Sequence, residues 1–420
     1  MTLPNRKEAP PFQLSHNYIL TPPEIFQLPH GKKLFTYRGL QQDVAKLELI
    51  FSAGRWFEGK SGVSHFTAQM LSKGTSNKNA YAIAEALDSL GAHLEINAGF
   101  DVVEISLYAL RKNLLASVDI LKMILEDPSF DDDELRLMKE IFVQNLQVNN
   151  EKTNVVASKE IRKIIFGEDH PYGGSVEEQD VSEITQEDLI SFFKNKFSLQ
   201  AAFLVGHLSD GEVNAIIEAI PHSRLEAPKN ISLALHPGAS HQIEKKDSVQ
   251  TSLRLGKKCI AKNDDAEYFN AVMFNHMLGG FFGSRLMKNI REEKGLTYGI
   301  YSAMNHFLHG SFWVIGAEVN QQNAEQAMVE IKQEIRKLQE KPISQDELDT
   351  ARNYYVGSWQ SENATLFAVA DKMKSLHLWN LSEDYYSKLL GHLQQITPAQ
   401  IQEAGNTYFG DNDLLEIRVG

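Results

Sequence analysis

The sequence has little cysteine and no long apolar run. Cys259 is the single cysteine among 420 residues, so neither an internal disulfide nor a zinc site made of several thiolates can form. No window approaches the roughly 18 uninterrupted apolar residues of a membrane-spanning helix. Residues 1–13 carry prolines and charged groups instead of the apolar segment of a signal peptide. We therefore expect a cytoplasmic protein, or a periplasmic one if a signal sequence was removed.

Basic residues are also in the minority. The sequence has 42 Lys and Arg against 55 Asp and Glu, which gives a formal net charge of −13. This balance argues against the broad basic surface that usually binds nucleic acids or anionic membranes. It fits a basic peptide as a partner, and it is equally ordinary for a soluble protein. A hydrophobic content of 42% and a charged content of 23% exclude a disordered chain and suffice for two or three globular domains.

The sequence repeats itself with a long period. The helix start at residues 184–189 recurs at 396–401, 212 residues later, and the Asp-Glu-Leu run at 133–135 recurs at 346–348, 213 residues later. Each half also has a glycine-terminated helix, then a pair of strand-like segments, then two long helices. We therefore predict an α+β fold of two homologous domains, each a mainly antiparallel sheet covered by helices.

Composition places the junction between the two halves near residues 222–248, where prolines, glycine and polar residues accumulate. We predict an N-terminal domain at 1–222, a linker at 223–248 and a C-terminal domain at 249–420. The strand pair of the first domain is expected at 92–98 and 102–110. The corresponding pair of the second domain is expected at 297–305 and 310–319.

The most informative motif lies on the helix-like segment 62–73. It resembles the start of the M16 (insulinase-like or pitrilysin-like) zinc peptidases, in which an inverted His-x-x-Glu-His motif occupies a helix. The resemblance places His65 at the first zinc ligand, Ala68 at the general-base Glu and Gln69 at the second His. The family's third ligand, a Glu on a later helix, counts to Asn145.

These departures remove the chemistry of the motif. Two His at i and i+4 lie on one helix face and reach one metal, and the intervening Glu takes the proton of the metal-bound water. Alanine has no proton acceptor, and the glutamine amide is a poor substitute for a neutral imidazole. We therefore expect no metal and no zinc cofactor in this chain, with His65 as an ordinary helix residue.

Two further segments resemble the same family. The strand ending at Asn97 and Ala98 resembles the edge strand to which active members add a peptide, which implies substrate binding at these two residues. Residues 167–173 resemble the family's Gly-x-x-His-Pro-Tyr-Gly loop, which gives His170 a structural role. His306 and His309 match no motif, and we expect them at the surface.

The second half keeps a family motif intact. Residues 278–286 and 290–298 resemble the C-terminal signature Gly-Gly-x-x-x-Ser-Arg-Leu…Arg-Glu-x-x-Gly-Leu-x-Tyr, with Arg291 and Tyr298 seven residues apart. The resemblance implies that both bind a substrate carbonyl and the oxyanion that develops from it. Gly295 is expected to form the turn between the helix that ends near Arg291 and the strand that Tyr298 opens. Without the resemblance, we would expect Arg291 to pair with a surface acid and Tyr298 to pack on the sheet.

The loss of the zinc motif beside an intact Arg291 and Tyr298 motif implies a function. Family members of this size, the M16B type, pair into dimers around a chamber that holds a peptide. The resemblance therefore implies a zinc-free partner subunit of a heterodimeric M16B peptidase, inactive alone, that offers Arg291 and Tyr298 in trans to a zinc-bearing subunit. Two alternatives are a scaffold subunit similar to the core proteins of the cytochrome bc1 complex, and a weakly active metallopeptidase that uses His65, Gln69 and Asn145. Neither a nucleic acid nor a membrane is an expected partner.

Overall fold

The computed structural model describes residues 20–39, 42–221, 239–245, 248–263, 265–410 and 413–420. The strands in these ranges form two sheets. They are β1 (Glu24–Gln27), β2 (Lys33–Arg38), β3 (Val44–Ser52), β4 (His93–Ala98), β5 (Val103–Leu110), β6 (Ser198–Gly206), β7 (Ser240–Ile243), β8 (Gln250–Lys258), β9 (Thr297–Phe307), β10 (Gly310–Asn320) and β11 (Leu415–Val419). The strand orders are β1-β2-β6-β3-β5-β4 and β7-β11-β8-β10-β9.

Helices surround both sheets. In the first half they are α1 (Val63–Met70), α2 (Ala80–Ser89), α3 (Leu114–Glu126), α4 (Asp132–Asn150), α5 (Thr153–Phe166), α6 (Glu178–Glu183), α7 (Gln186–Lys196) and α8 (Asp210–Ala219). In the second half they are α9 (Ala266–Asn275), α10 (Ala324–Glu340), α11 (Gln345–Glu362), α12 (Leu366–Leu378), α13 (Tyr385–Gln395) and α14 (Pro398–Tyr408). Two wider, π-type helical segments, His276–Gly280 and Met287–Glu293, follow α9. No helix of the described residues is long and apolar enough to cross a membrane.

The two sheets have the same topology. Without β1, the order β2-β6-β3-β5-β4 corresponds strand for strand to β7-β11-β8-β10-β9. Among the described strands, β2 with β6 and β7 with β11 are the parallel pairs, and the other pairs are antiparallel. The predicted α+β fold of two homologous domains, each with a mainly antiparallel sheet, is confirmed.

The repeated sequence landmarks are helix starts. Thr185 and Thr397 are the N-caps of α7 and α14, and each exchanges side-chain and backbone hydrogen bonds with the residue three positions on. This capping box satisfies amide groups that the first helical turn leaves unpaired. In the other landmark, Leu135 and Leu348 are buried at the starts of α4 and α11. Both halves therefore keep the same helix caps and the same buried leucine at equivalent helix starts.

Each sheet is covered on one face by helices of its own half and on the other by a helix of the opposite half. Helix α5 buries Ala157, Ile161 and Ile165 against apolar residues of β10 and β11 in the second sheet. Helix α12 packs in turn on β6 of the first sheet, where Leu378 lies against a small apolar cluster that includes Phe203. The two halves are thus interlocked, since each one completes the core of the other.

Buried charges join α12 to the first sheet. The carboxylate of Glu48 on β3 lies 2.9 Å from Nζ of Lys374 and 3.2 Å from Nζ of Lys46. Lys374 also lies 3.3 Å from Glu104 on β5. Burial alone would raise the pKa of Glu48, but the two lysines hold it below its usual range. The carboxylate is ionised in the interior because both cations accompany it.

The predicted domain boundaries concern a segment that lies largely outside the described residues. Residues 223–238 and 246–247 of the predicted linker are not among them. The part at Ser240–Ile243 is β7, which pairs in parallel with β11 and belongs to the second sheet. The boundaries at 222 and 249 stay predictions.

Candidate functional site

Helix α1 places the degenerate motif against β4. Its N-cap, Gly62, has a φ of 89°, a left-handed conformation that favours glycine and turns the chain into the helix. Ala68 is 0% exposed and lies in the apolar core of the first half. His65 and Gln69 are half-buried on the same face of α1. The two positions of the zinc motif therefore lie together, as the i, i+4 spacing requires, but their surroundings differ.

His65 lies among aromatic rings. Its ring centroid is 5.1 Å from that of Phe142 on α4 and 5.5 Å from that of Phe66. Burial lowers the pKa of His65, so the ring is neutral at pH 7. Asn145, which the resemblance assigns to the third ligand position, is an exposed residue of α4. The α4 residue in ring contact with His65 is thus Phe142, which has no metal-binding atom.

A cavity of about 240 Å³ opens beside His65, and Ala98 and Phe142 line it. It also contains Glu58, a buried carboxylate that the motif does not include. Glu58 accepts a hydrogen bond from the backbone N–H of Ser64 at 2.9 Å and lies 3.8 Å from Nε of Arg55. Burial raises the pKa of Glu58 to about 7, although Arg55 lowers it in part. No sequence signal marked Glu58, since it lies outside the helix and its burial comes from the loop around α1.

Gln69 bonds to the strand that was predicted to bind a peptide. Its side-chain amide donates to the backbone oxygen of Ile96 at 2.8 Å. Strand β4 is the edge of the first sheet, paired on one side with β5. Outward-facing backbone groups alternate along a strand, so the free edge is presented by Ile96 and Ala98. Gln69 occupies the Ile96 oxygen, whereas Ala98 faces the cavity and the side chain of Asn97 is exposed.

The residues at the motif do not fit a zinc ion. A structural or catalytic zinc needs at least three protein ligands of the His, Cys, Asp or Glu type. In the part of the chain that the structure describes, no group of three or more such residues could hold a metal. At the motif itself, Ala68 offers a methyl group and the Gln69 amide is engaged with β4. His65, Ala68 and Gln69 therefore do not form a zinc site on α1.

Arg291 and Tyr298 flank a tight turn in the second half. Arg291 belongs to the helical segment Met287–Glu293, which ends with Gly295 at a φ of 61°. The backbone N–H of Gly295 donates to the oxygen of Arg291 at 3.2 Å, and that of Leu296 donates to Ile290 at 2.9 Å. This ending places Tyr298 at the second residue of β9, the edge strand of the second sheet. The predicted helix, glycine turn and strand are all present.

Both side chains are available to an outside group. Tyr298 is 91% exposed, so it does not pack on the sheet. The guanidinium carbon of Arg291 lies 4.8 Å from the ring centroid of Phe282, a ring that is itself exposed. Among the described residues, Arg291 has no ion pair with an acid. The pair thus offers a guanidinium that stacks on Phe282 and an exposed phenol, neither of which has a hydrogen-bond or ion-pair partner among the described residues.

The structure brings some of the predicted residues together and separates others. His65 and Ala98 line one cavity, and Gln69 reaches the same strand as Asn97. Arg291 and Tyr298 form a second group, and no hydrogen bond or ion pair joins them to the first group in the described ranges. The two groups lie by β4 and β9, which are the equivalent edge strands of the two sheets.

The histidines outside the motif differ from the prediction at one position. His170 is buried, and its Nδ1 accepts the backbone N–H of Tyr172 at 3.1 Å, which is a structural role. His309 is exposed at the turn after β9. His306 is wrongly predicted as a surface residue, because it is half-buried and bonds to the Tyr268 hydroxyl at 3.0 Å and to Ser311 at 2.8 Å. The sequence pattern of β9 did not show that α9, which carries Tyr268, packs over His306.

Comparison with known families identifies the family of this chain. A model described as insulinase (peptidase family M16) matches residues 36–177, and one described as the peptidase M16 inactive domain matches residues 183–355. The chain belongs to the M16 peptidase family. Its sequence contains no His-x-x-Glu-His motif.

Some relatives of this M16 chain are named as zinc proteases, and another is named as a non-peptidase homolog. It is 24% identical over 335 residues to a protein of Rickettsia bellii named an uncharacterized zinc protease. The aligned region covers 78% of this chain and 81% of that protein. It is 23% identical over 382 residues to the non-peptidase homolog YmxG of Helicobacter pylori, with 88% and 87% covered.

Solved structures share the fold of this M16 chain. The peptidase M16 inactive domain from Pseudomonas fluorescens superposes with a TM-score of 0.86 at 25% identity, over 95% of this chain and 98% of that one. A chain of Complex III2 from Candida albicans superposes with a TM-score of 0.76 at 14% identity, over 94% and 95%. At 14% identity the second likeness concerns the fold alone.

Proposed function

We propose that this M16 chain is the zinc-free partner subunit of a heterodimeric M16B peptidase. On this proposal it does not hydrolyse peptides alone, and zinc belongs to the other subunit. The observation that carries the proposal is the contrast between the two candidate groups. The motif on α1 lacks a base and a second ligand, whereas Tyr298 is exposed, Arg291 is half-buried without an ion pair in the described ranges, and the Gly295 turn holds both in place.

Arg291 and Tyr298 would act on a peptide held at the zinc site of the partner. A guanidinium and a phenol hydroxyl both donate hydrogen bonds, and they stabilise the negative charge that develops on the scissile carbonyl oxygen. A fixed donor of this kind contributes about 2.7–4 kcal/mol to a transition state, or about 10²–10³-fold in rate. The exposure of Tyr298 supports a role in a site that another subunit shares.

Strand β4 supports a part in holding the peptide. An extended peptide that adds to β4 would find the edge groups of Ala98 open beside the cavity and the Ile96 oxygen already taken by Gln69. The added strand would therefore pair at the Asn97–Ala98 end. The net charge of −13 favours a basic peptide over an acidic one. We propose a cytoplasmic location for the complex, or a periplasmic one for a chain exported with a removed signal.

The test is reconstitution with a zinc-bearing M16 chain from the same organism. We expect a fluorogenic basic peptide to be cleaved by the mixture and by neither chain alone. Arg291→Ala and Tyr298→Phe should each lower kcat/KM by about 10²–10³-fold while the complex still elutes as a dimer. The matched controls are Arg136→Ala and Tyr81→Phe, exposed residues on α4 and α2, which should leave activity unchanged. Full activity of both site variants would overturn the proposal.

A scaffold role is the second candidate, and one observation favours it. The Gln69 amide donates to the Ile96 oxygen, so this position of the β4 edge is not free to pair with a peptide. A scaffold subunit, which binds no peptide, does not need that position to be free. Affinity capture of the tagged chain separates the two candidates. Recovery of a zinc-bearing M16 chain supports the partner subunit, and recovery of a membrane complex without one supports the scaffold. The third alternative, a weakly active metallopeptidase, is not proposed, because the donors at His65, Gln69 and Asn145 do not fit a metal.

A further inference from the structure

The second half contains a cavity that the proposed function does not use. It has a volume of about 490 Å³ and lies between α9, α11, α12, α13 and β9. This size is within the range of small-molecule binding pockets. Tyrosine rings form much of its wall, among them Tyr355, Tyr385 and Tyr386. Arg291 and Tyr298 are not among its lining residues.

The cavity contains a lysine whose charge has no carboxylate partner. Lys262 is half-buried, and its Nζ donates to the Ser375 hydroxyl at 2.7 Å. The same nitrogen lies 4.5 Å from the ring centroid of Trp379 and 5.8 Å from that of Tyr385. Among the described residues, no carboxylate lies within ion-pair distance of Lys262. A hydroxyl and two aromatic faces are weak compensation for a partly buried ammonium group.

A second lysine lines the same cavity. Nζ of Lys372 on α12 lies 3.8 Å from the carboxylate of Glu362, which also lines the cavity but is mostly exposed, and 5.9 Å from the ring centroid of Tyr386. Burial, and then the charge of Lys372, lower the pKa of Lys262 to about 8. Both ammonium groups line this cavity, and their like charges disfavour each other. An anion between them would reduce the repulsion and would give Lys262 the ionic partner that it lacks among the described residues.

We propose that this cavity binds a carboxylate carried by an aromatic group, with Lys262 and Lys372 as the cations that hold the carboxylate. The tyrosine rings supply the apolar and polarisable surface against which the aromatic group packs. A small free acid and the C-terminal residue of a peptide share this chemistry. The site is independent of the chamber proposed above, since it shares no residue with Arg291, Tyr298 or the β4 edge.

Binding is tested with 3-phenylpropanoate and its neutral amide, 3-phenylpropanamide, by isothermal titration calorimetry on the full chain. Tryptophan fluorescence gives a second readout, because Trp359 lines the cavity, Trp379 lies beside Nζ of Lys262, and the excitation wavelength can be one at which neither probe absorbs. We expect the acid to bind at least tenfold more tightly than the amide. Acetyl-Gly-Gly-Phe with a free or an amidated C-terminus forms a parallel arm that distinguishes a peptide C-terminus from a small acid.

The variants assign the preference to the lysines. Lys262→Met keeps the length of the side chain and removes its charge, and it should abolish the tenfold preference for the acid. Lys372→Met should reduce that preference, and Lys112→Met, an exposed lysine of the first half, should leave it unchanged. Absence of binding by any acid, equal binding of acid and amide, or an unchanged preference in Lys262→Met would each overturn the proposal.

Discussion

The buried charges between α12 and the first sheet allow a quantitative test of how the two halves hold together. Lys374→Met removes the ammonium group that lies 2.9 Å from Glu48, whose side chain is 4% exposed. Removal of one partner of a buried ion pair costs about 3–5 kcal/mol, because an uncompensated charge is left behind. Lys46 stays 3.2 Å from Glu48. We therefore expect a loss at the lower end, about 3 kcal/mol.

The assay is urea unfolding followed by tryptophan fluorescence, together with calorimetry. For two interlocked halves that unfold together, an unfolding entropy of about 2 cal/mol/K per residue means that a loss of about 3 kcal/mol lowers Tm by roughly 3–4 °C. The matched control is Lys122→Met, which breaks an exposed ion pair with Glu126 at 3.8 Å and should cost at most about 1 kcal/mol. The double variant Glu48→Gln with Lys374→Met should recover part of the loss, since the buried carboxylate is gone.

Two results would refute this reasoning. If Lys374→Met is no more destabilising than Lys122→Met, the buried network does not hold α12 on the sheet. If the double variant recovers nothing, the loss comes from packing of the lysine stem and not from the unpaired charge of Glu48.

Two further predictions concern local contacts. Hydrogen bonds from Arg111 and Ser209 lower the pKa of Glu212 to about 2, so its stabilising contribution is full above the unfolded pKa of about 4.3 and is lost as the pH falls toward 2. Glu212→Gln should therefore be less stable than the wild type at pH 6, and the gap in urea midpoint should shrink below about pH 4; a gap independent of pH would contradict this. Gly405→Ala would place a methyl group 2.3 Å from the Phe274 ring and should cost about 1–3 kcal/mol, whereas Gly391→Ala, with no atom within 4 Å, should be neutral or slightly stabilising. Equal melting temperatures for the two glycine variants would show that the contact relaxes freely.

The fold was largely predictable because its signals are local. Capping boxes at Thr185 and Thr397 and the alternation of β5 depend on residues a few positions apart, so they can be read along the chain. The position of α5 on the opposite sheet could not be predicted in this way. An amphipathic helix shows that it has an apolar face, but not which of two similar sheets that face will cover.

The candidate site was predictable only where its chemistry lies in consecutive residues. The turn from Arg291 to Tyr298 is set by Gly295 and formed as expected. The contact of Phe142 with His65 depends on how α4 packs across α1, and a count along the chain led to the exposed Asn145 instead. Glu58 and Lys262 were missed for the same reason, since tertiary burial alone makes their charges unusual.

The exchange of α5 and α12 has a consequence for the origin of the chain. Each half keeps a sheet face that carries apolar residues and that its own helices do not cover. A half-length ancestor would have exposed that face as a monomer. It could have buried the face by pairing with a second copy, with each copy laying its helix on the sheet of the other. Gene duplication would then have joined two identical partners into one chain, and the present pseudo-symmetry would be the trace of a former dimer.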